Sequence, residues 1–495
     1  MISNSEVAKK LKQIGADLII GVPGSGDSFE IINSFLESGG NFLGTSTELV
    51  APIIASTINR ANDQQRYAVS ISIRGPGLIA SLPGLYFNYI EDLKSISISE
   101  DLNPSEVTLN HHKPLDTSRV LGSIGLIKSG KDDFHENFSI DNKKSEAKRM
   151  IHFLTRSENV FTHNRSPKEL CYENHKTLEF IKYRKILVIG KIGIENSEVK
   201  LLLKSGFPFF LTPGALPYYD LNSANFLGVW SGTEQFKYLS YDPRILENVV
   251  ILRVGVMKRE LLTMKQKVPH IDLSLASKTE VNQLLDLVGP VYEYSKSLTL
   301  SNLRKSIIHS SSNWNVSSVI SILNELNLKV NYSFDVGSFG TLIENFIRPS
   351  APNSLYSSFI GKFMGTAVPI AIGLGIAKPD TPIICILGEG GFSSSFNEIS
   401  LISTLGLPIC LLILSDNSMH SVVNNRTIDQ SIKNKFFPAN FQKLKTTTPP
   451  DVPCINASTP SKFVEAISNW DMKSPKLIFL DFDPSSYATG VEFLR

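Results

Sequence analysis

The stretch Ile386-Leu387-Gly388-Glu389-Gly390-Gly391-Phe392 sets one carboxylate among glycines at the end of an apolar run. In open parallel sheets, ligands bind beyond the carboxyl ends of the strands, often against a helix N-terminus. Glycines let the backbone approach a phosphate closely, with N–H groups aimed inward. A carboxylate in such a turn would repel phosphate unless a cation lay between them. Glu389 therefore suits a hard divalent cation that also holds phosphate oxygens. A second oxygen ligand should come from a neighbouring strand end. The run "PICLLILSD" supplies it, because Asp416, Asn417 and Ser418 close its apolar stretch. One helix and one strand separate the two turns, which puts both on the same edge of a parallel sheet. Either turn alone reads equally well as a solvated loop. Together they point to a metal–diphosphate site.

The elements that must position these turns alternate between helix and strand. "SEVAKKLKQIG", "FEIINSFLES" and "ELVAPIIASTINRAN" read as helices, and "DLIIGVPG" and "YAVSISIRGPG" as strands with turns. A polar, irregular stretch follows from Lys128 to Glu179, with a helix expected at "KKSEAKRMIHFLT". "KILVIG", "FPFFLTPGA" and "NVVILRVG" repeat the strand pattern, and the serine-rich "EYSKSLTLSNLRKSIIHSSSNW" reads as a linker. A third run alternates "VSSVISILNELN", "VNYSFDVG", "GTAVPIAIGLGIA", "PIICIL", "SFNEISLISTLG", "PICLLILSD" and "KLIFLDFD". Such alternation implies α/β architecture with parallel sheets and crossover helices. We expect three open α/β domains, at residues 1–175, 180–300 and 305–495.

Bulk properties narrow the function. A chain of 495 residues is too long for one core. Its 42% hydrophobic and 19% charged content is that of an ordered globular protein. A net charge of +2 without any Lys/Arg-rich block disfavours nucleic acid as a partner. The four cysteines lack CxxC spacing, which argues against a zinc site or a disulfide framework. The N-terminus reads as an amphipathic helix rather than a signal peptide, and no apolar run is long enough to span a membrane. A cytoplasmic protein is the expectation.

The paired turns, together with several partial motifs in the right order, resemble the thiamine-diphosphate enzymes of the acetolactate synthase and pyruvate decarboxylase superfamily. The family's G-D-G followed by N or N-N is matched here by Gly388-Glu389-Gly390 and Ser415-Asp416-Asn417. "LIIGVPGSG" and "SIRGPGLIASLPGLYFNYIEDL" resemble its pyrimidine-binding domain, with Arg74 in place of the usual Ser. "KILVIGKIGI", "FPFFLTPGALP" and "NVVILRVG" resemble its central domain. "SFDVGSFG" and "FMGTAVPIAIGLGIA" resemble its diphosphate-binding domain. The resemblance implies thiamine diphosphate and Mg²⁺ as cofactors, with Glu389, Asp416 and the Ser418 carbonyl on the metal and Gly388, Gly390 and Gly391 against the diphosphate. It also implies a homodimer or homotetramer with active sites built between subunits.

The resemblance assigns further residues. Glu48 opens an apolar helix, where a bare reading is an acid complementing the helix dipole. The family's glutamate at that position hydrogen-bonds the aminopyrimidine ring, and the spacing recurs as Glu48-Leu49-Val50-Ala51 with Ala55 one turn on. Burial of such a carboxyl would favour its neutral form and let it pass a proton to the ring. Phe363-Met364-Gly365 stands where the family has T-M-G. Met364 would be the wedge that bends the cofactor, and the Lys362 carbonyl would take the ring's amine. His111 and His112 follow Glu48 at the spacing of the H-H motif of the pyruvate decarboxylase branch. Imidazoles there could steer a carboxylate or move a proton.

Two departures bear on the reaction. That branch has an acidic residue where Ser25 stands, with Asp27 nearby, and a glutamate where Val422 stands, with His420 nearby. Valine transfers no protons, which weakens simple aldehyde release. Three readings follow. The first is decarboxylation of a 2-oxo acid with transfer of the carbanion to an acceptor or a proton. The second is carbon–carbon lysis without net decarboxylation. The third is a non-catalytic regulatory homologue, which the retention of Glu48 argues against.

Overall fold

The computed structural model of the chain describes residues 4–61, 67–93, 95–102, 115, 117–123, 149–155, 184–191, 193, 199, 203, 206–223, 225–231, 249–261, 270–272, 314–418, 421, 441–446, 451–483 and 487. The strands among them form three separate sheets. The first contains α1 (Asn4–Gln13), β1 (Ala16–Gly21), α2 (Asp27–Glu37), β2 (Asn41–Gly44), α3 (Val50–Ala61), β3 (Tyr67–Ser72), α4 (Pro76–Glu91), β4 (Ile96–Leu102), α5 (Thr117–Ser123) and β5 (Arg149–Thr155). Its strand order is β2-β1-β3-β4-β5. All pairs are parallel except β4–β5.

Strand β5 corrects the sequence reading, which expected a helix across "KKSEAKRMIHFLT". Arg149–Thr155 instead runs antiparallel to β4 along the sheet edge. Its apolar run is too short for periodicity to separate helix from strand. Pairing with β4 covers that strand's open edge, which favours the strand.

The second sheet holds β6 (Arg184–Ile189), β7 (Phe209–Leu211), β8 (Phe226–Val229), β9 (Val249–Val254) and β10 (His270–Asp272). Its order is β10-β9-β6-β7-β8, with every pair parallel.

The third sheet is built from α6 (Val316–Leu326), β11 (Asn331–Phe334), α7 (Ser338–Phe346), β12 (Leu355–Ser357), α8 (Ala367–Ala377), β13 (Ile383–Gly388), α9 (Glu389–Ser394), α10 (Phe396–Thr404), β14 (Ile409–Ser415), α11 (Phe441–Thr446), β15 (Cys454–Ala457), α12 (Pro460–Ser468) and β16 (Lys476–Asp481). Its order is β12-β11-β13-β14-β16-β15, again wholly parallel. Strand β14, "ICLLILS", is buried at every position. Helices cover both faces of such a sheet, so its strands carry no polar alternation. Cys385 and Cys410 pack inside β13 and β14 as small apolar residues.

Helix α8, "AVPIAIGLGIA", is apolar on all sides and therefore needs partners all round. The third sheet lies on one side and α3 of the first unit on the other. Ile54 and Ile58 of α3 share one buried cluster with Ile370 and Leu374 of α8 and with Leu387 and Leu411 of the strands. The two helices cross so closely that a Cβ on Gly373 would stand 2.7 Å from the Thr57 Cβ and 2.9 Å from the Ile54 carbonyl oxygen.

Candidate active site

Strands β13 and β14 pair in register with Gly388 opposite Leu414, so Glu389 and Asp416 emerge side by side at the carboxyl edge of the third sheet. Both are buried, at 3% and 1% exposure. Glu389 Oε1 accepts hydrogen bonds from the backbone N–H groups of Asp416 and Asn417, each at 2.8 Å. Asn417 takes a left-handed conformation, φ 53°, which tightens this turn. Asp416 accepts from the Ser418 N–H at 3.1 Å and from its hydroxyl at 2.6 Å. Burial, with the Asp416 charge adding to it, pushes the Glu389 carboxyl up to about 7. Burial pushes Asp416 up to about 6. Two buried carboxylates side by side are a place where a cation lowers the energy of both.

The glycines provide the cradle. A Cβ on Gly391 would collide with the Asp335 carboxylate, and one on Gly388 would come within 3.2 Å of the Phe339 ring. Gly390, Met364, Ser421 and Tyr487 also line the pocket in front of this turn. Among the described residues, no group of three His, Cys, Asp or Glu side chains could enclose a metal ion. Mg²⁺ is commonly held by one or two carboxylates and completes its octahedron with phosphate oxygens and water. Two carboxylates facing a glycine-lined pocket fit that pattern, so the residues present suit a Mg²⁺–diphosphate.

Two titratable residues of this pocket were not singled out from sequence. Asp335 directly follows β11 and is 1% exposed. Its oxygens accept from the N–H groups of Gly365 (3.0 Å), Thr366 (2.9 Å) and Ala367 (3.0 Å). It thereby fixes the start of α8, while burial, working against those bonds, pushes its carboxyl up to about 6. The signal was weak, because Asp335 follows the mixed run Val330-Asn331-Tyr332-Ser333-Phe334 and Val336 separates it from Gly337. Tyr487 lies beyond the last strand, and nothing in the local sequence marks it. Burial, with Asp416 and Glu389 adding to it, pushes its phenol well up.

The turn before α8 carries Lys362 and Met364. Lys362 adopts φ 52° and Gly365 φ 80°. A left-handed lysine is uncommon, because its Cβ crowds the backbone, and surrounding contacts must hold it there. The Lys362 ammonium pairs with the Glu344 carboxylate of α7. Met364 is 52% exposed, unlike a core methionine.

Glu48 sits in the turn immediately before α3, at the carboxyl edge of the first sheet. It is half-buried in the single chain, not buried as expected. With serines of β3, β4 and α4, and with Pro52, Leu78 and Leu85, it lines a small cavity of mixed character. The Ser70 and Ser97 hydroxyls meet at 2.5 Å across β3 and β4. Glu48 Oε1 lies 3.3 Å from where a Cβ on Gly77 would stand, so that glycine gives the carboxylate room. The Glu48 cavity and the Glu389 pocket share no lining residue. Arg74 is half-buried between β3 and α4, Ser25 is exposed, and Asp27 opens α2. His111, His112, His420 and Val422 lie outside the described residues.

Two regions of the chain match known families. Residues 4–119 match the family described as "Thiamine pyrophosphate enzyme, N-terminal TPP binding domain". Residues 335–469 match "Thiamine pyrophosphate enzyme, C-terminal TPP binding domain". The chain is 25% identical to the acetolactate synthase large subunit of Cyanidium caldarium over 237 residues, which are 46% of this chain and 38% of that protein. It is 30% identical to a probable acetolactate synthase large subunit of Methanococcus aeolicus over 109 residues, 22% of this chain and 18% of the relative. It is also 30% identical to the 1-deoxy-D-xylulose-5-phosphate synthase of Fusobacterium nucleatum over 102 residues, 20% of this chain and 17% of that protein. The chain thus spans well under half the length of these curated relatives.

Proposed function

Because the chain belongs to the thiamine-diphosphate enzymes of the acetolactate synthase and pyruvate decarboxylase superfamily, we propose that it binds Mg²⁺–thiamine diphosphate and decarboxylates a 2-oxo acid. The two-carbon or larger remainder then passes to an acceptor carbonyl in an acetolactate synthase-like reaction, or to a proton. The buried Glu389–Asp416 pair on a glycine-lined pocket is the observation that carries this reading. Glu389, Asp416 and the Ser418 carbonyl hold the cation, and Gly388, Gly390 and Gly391 admit the diphosphate. Thiamine diphosphate, once bound, supplies the electron sink that lets a 2-oxo acid lose CO₂. Met364 lines the same pocket, where it would serve as the apolar wedge against the cofactor. The Lys362 carbonyl would accept from the ring's amine, and Glu48 would hold the proton for the ring nitrogen. His111 and His112 act on the substrate carboxylate. The three domains are read at 1–175, 180–300 and 305–495.

A second copy of the chain belongs in this reading. Glu48 and Glu389 line different pockets within one chain, which supports an active site completed by the Glu48 of another subunit. The test of the reaction is product partition with a saturating 2-oxo acid donor and a carbonyl acceptor. With Val422 unable to relay a proton, ligated product should exceed free aldehyde, and Val422→Glu should shift the balance toward aldehyde. Mostly aldehyde from the parent protein would favour the plain decarboxylase. No CO₂ release from any 2-oxo acid would remove decarboxylation altogether.

A further inference from the structure

Glu91, the last residue of α4, is 4% exposed, and the cofactor chemistry above does not use it. Its side chain reaches the third unit of the chain. Oε1 accepts from the Ser358 hydroxyl at 2.9 Å, the Ile360 N–H at 2.9 Å and the Gly361 N–H at 2.7 Å. Ser358 Oγ in turn accepts from the Phe363 N–H at 2.9 Å. A hydrogen-bonded relay therefore runs from Glu91 to the residue next to Met364. Phe363 also stands edge-on to Tyr86 and Phe87 of α4, with ring centroids 5.8 and 5.9 Å away. From its other end the same turn is held by Asp335, through Gly365 and the start of α8. The Met364 turn is thus stretched between two buried carboxylates, one from each of two units.

The end of α4 is itself anchored. Lys191, just past β6, donates to the backbone carbonyls of Glu91 and Asp92. The Lys191 N–H donates at 3.0 Å to Glu260, which also accepts from the Thr212 hydroxyl at 2.5 Å and the Met257 N–H at 2.8 Å. Asp92 caps the helix in a left-handed conformation, φ 61°, with Arg259 at 3.7 Å from its carboxylate. Glu91 consequently meets the turn from a fixed base rather than from a frayed helix end.

We propose that Glu91 is a positioning residue for the Met364 turn, setting through Ser358 and the Ile360 and Gly361 N–H groups how far Met364 projects into the cofactor pocket. The inference rests on the wedge role given to Met364 above. A carboxylate presents an acceptor at both ends, Oε2 taking a second bond from the Ile360 N–H at 3.2 Å, whereas a glutamine keeps one oxygen and sets its N–H₂ donor against that N–H. A clamp that merely joined the two units would change thermal stability and leave the bent cofactor as it was.

The test uses Glu91→Gln, Ser358→Ala and Met364→Ala in the full chain. In the cofactor-free protein, amide hydrogen exchange at Gly361 and Phe363 should speed up in the first two variants. In the protein loaded with thiamine diphosphate and Mg²⁺, C2 proton exchange should slow at least about tenfold in all three, because small misplacements of reacting groups are costly. Cofactor affinity should be retained, since the Glu389 turn is untouched. Exchange at the parent rate in Glu91→Gln and Ser358→Ala, with Met364→Ala slowed, overturns the role of Glu91 and leaves the wedge standing. Parent-rate exchange in Met364→Ala removes the wedge, and the role of Glu91 with it. If Glu91→Gln does not fold, Ser358→Ala alone decides, because it breaks the relay without burying an unpaired charge.

Discussion

The buried acids of this chain differ in how far sequence reveals them. Glu389 stands out because a charge ending an apolar run is anomalous, and Asp416 repeats the anomaly one strand later. Glu91 looks like an ordinary helix end, since its partner Ser358 is 267 residues away. Only folding brings that pair together. Burial raises Asp335 to about 6, Glu389 to about 7 and Asp416 to about 6. Unfolded carboxylates titrate near about 4. The folded state therefore holds these protons more tightly, and the stability they contribute is present below that value. It is lost as pH rises through about 6 to 7. The cofactor-free, metal-free protein should need less denaturant to unfold at pH 8 than at pH 5. Rising stability over that interval would contradict the burial of these acids. Glu48 belongs to the same scale. Glu48→Gln should retain thiamine diphosphate binding yet lower turnover by at least about 10²-fold, the size expected for a lost acid–base group. Equal turnover would remove Glu48 from the chemistry.

At the scale of elements, the parallel sheets were legible because strands buried on both faces leave unbroken apolar runs. "PIICIL" and "PICLLILSD" become β13 and β14, and the site lies at their shared edge. Edge strand β5 was misread, because a short apolar run inside a polar stretch has no period to settle its type. What the pattern could not give is which helix meets which. Helix α8 is apolar all round, so sequence says that it is enclosed but not that α3 encloses it. Gly373 marks their crossing. Gly373→Val should destabilise the protein by roughly 1–3 kcal/mol, as overpacking does. It should also weaken cofactor binding, because α8 begins at the Met364 turn. Unchanged unfolding would place the crossing elsewhere.

For the whole molecule, the two matched regions, residues 4–119 and 335–469, are those that carry Glu48 and Glu389. Their two pockets remain apart within one chain. If the site is completed by a second copy, specific activity should fall on dilution in step with dissociation seen by light scattering. Activity that persists in a verified monomer would contradict the shared site. All of this depends on one event, the capture of thiamine diphosphate through a cation held by Glu389 and Asp416. Calorimetric titration of thiamine diphosphate into the metal-stripped protein, with and without Mg²⁺, tests it most directly. The account predicts saturable binding with Mg²⁺, none in EDTA, and none in Glu389→Ala at either condition. Equal binding without a divalent ion, or undiminished binding in Glu389→Ala, would contradict it.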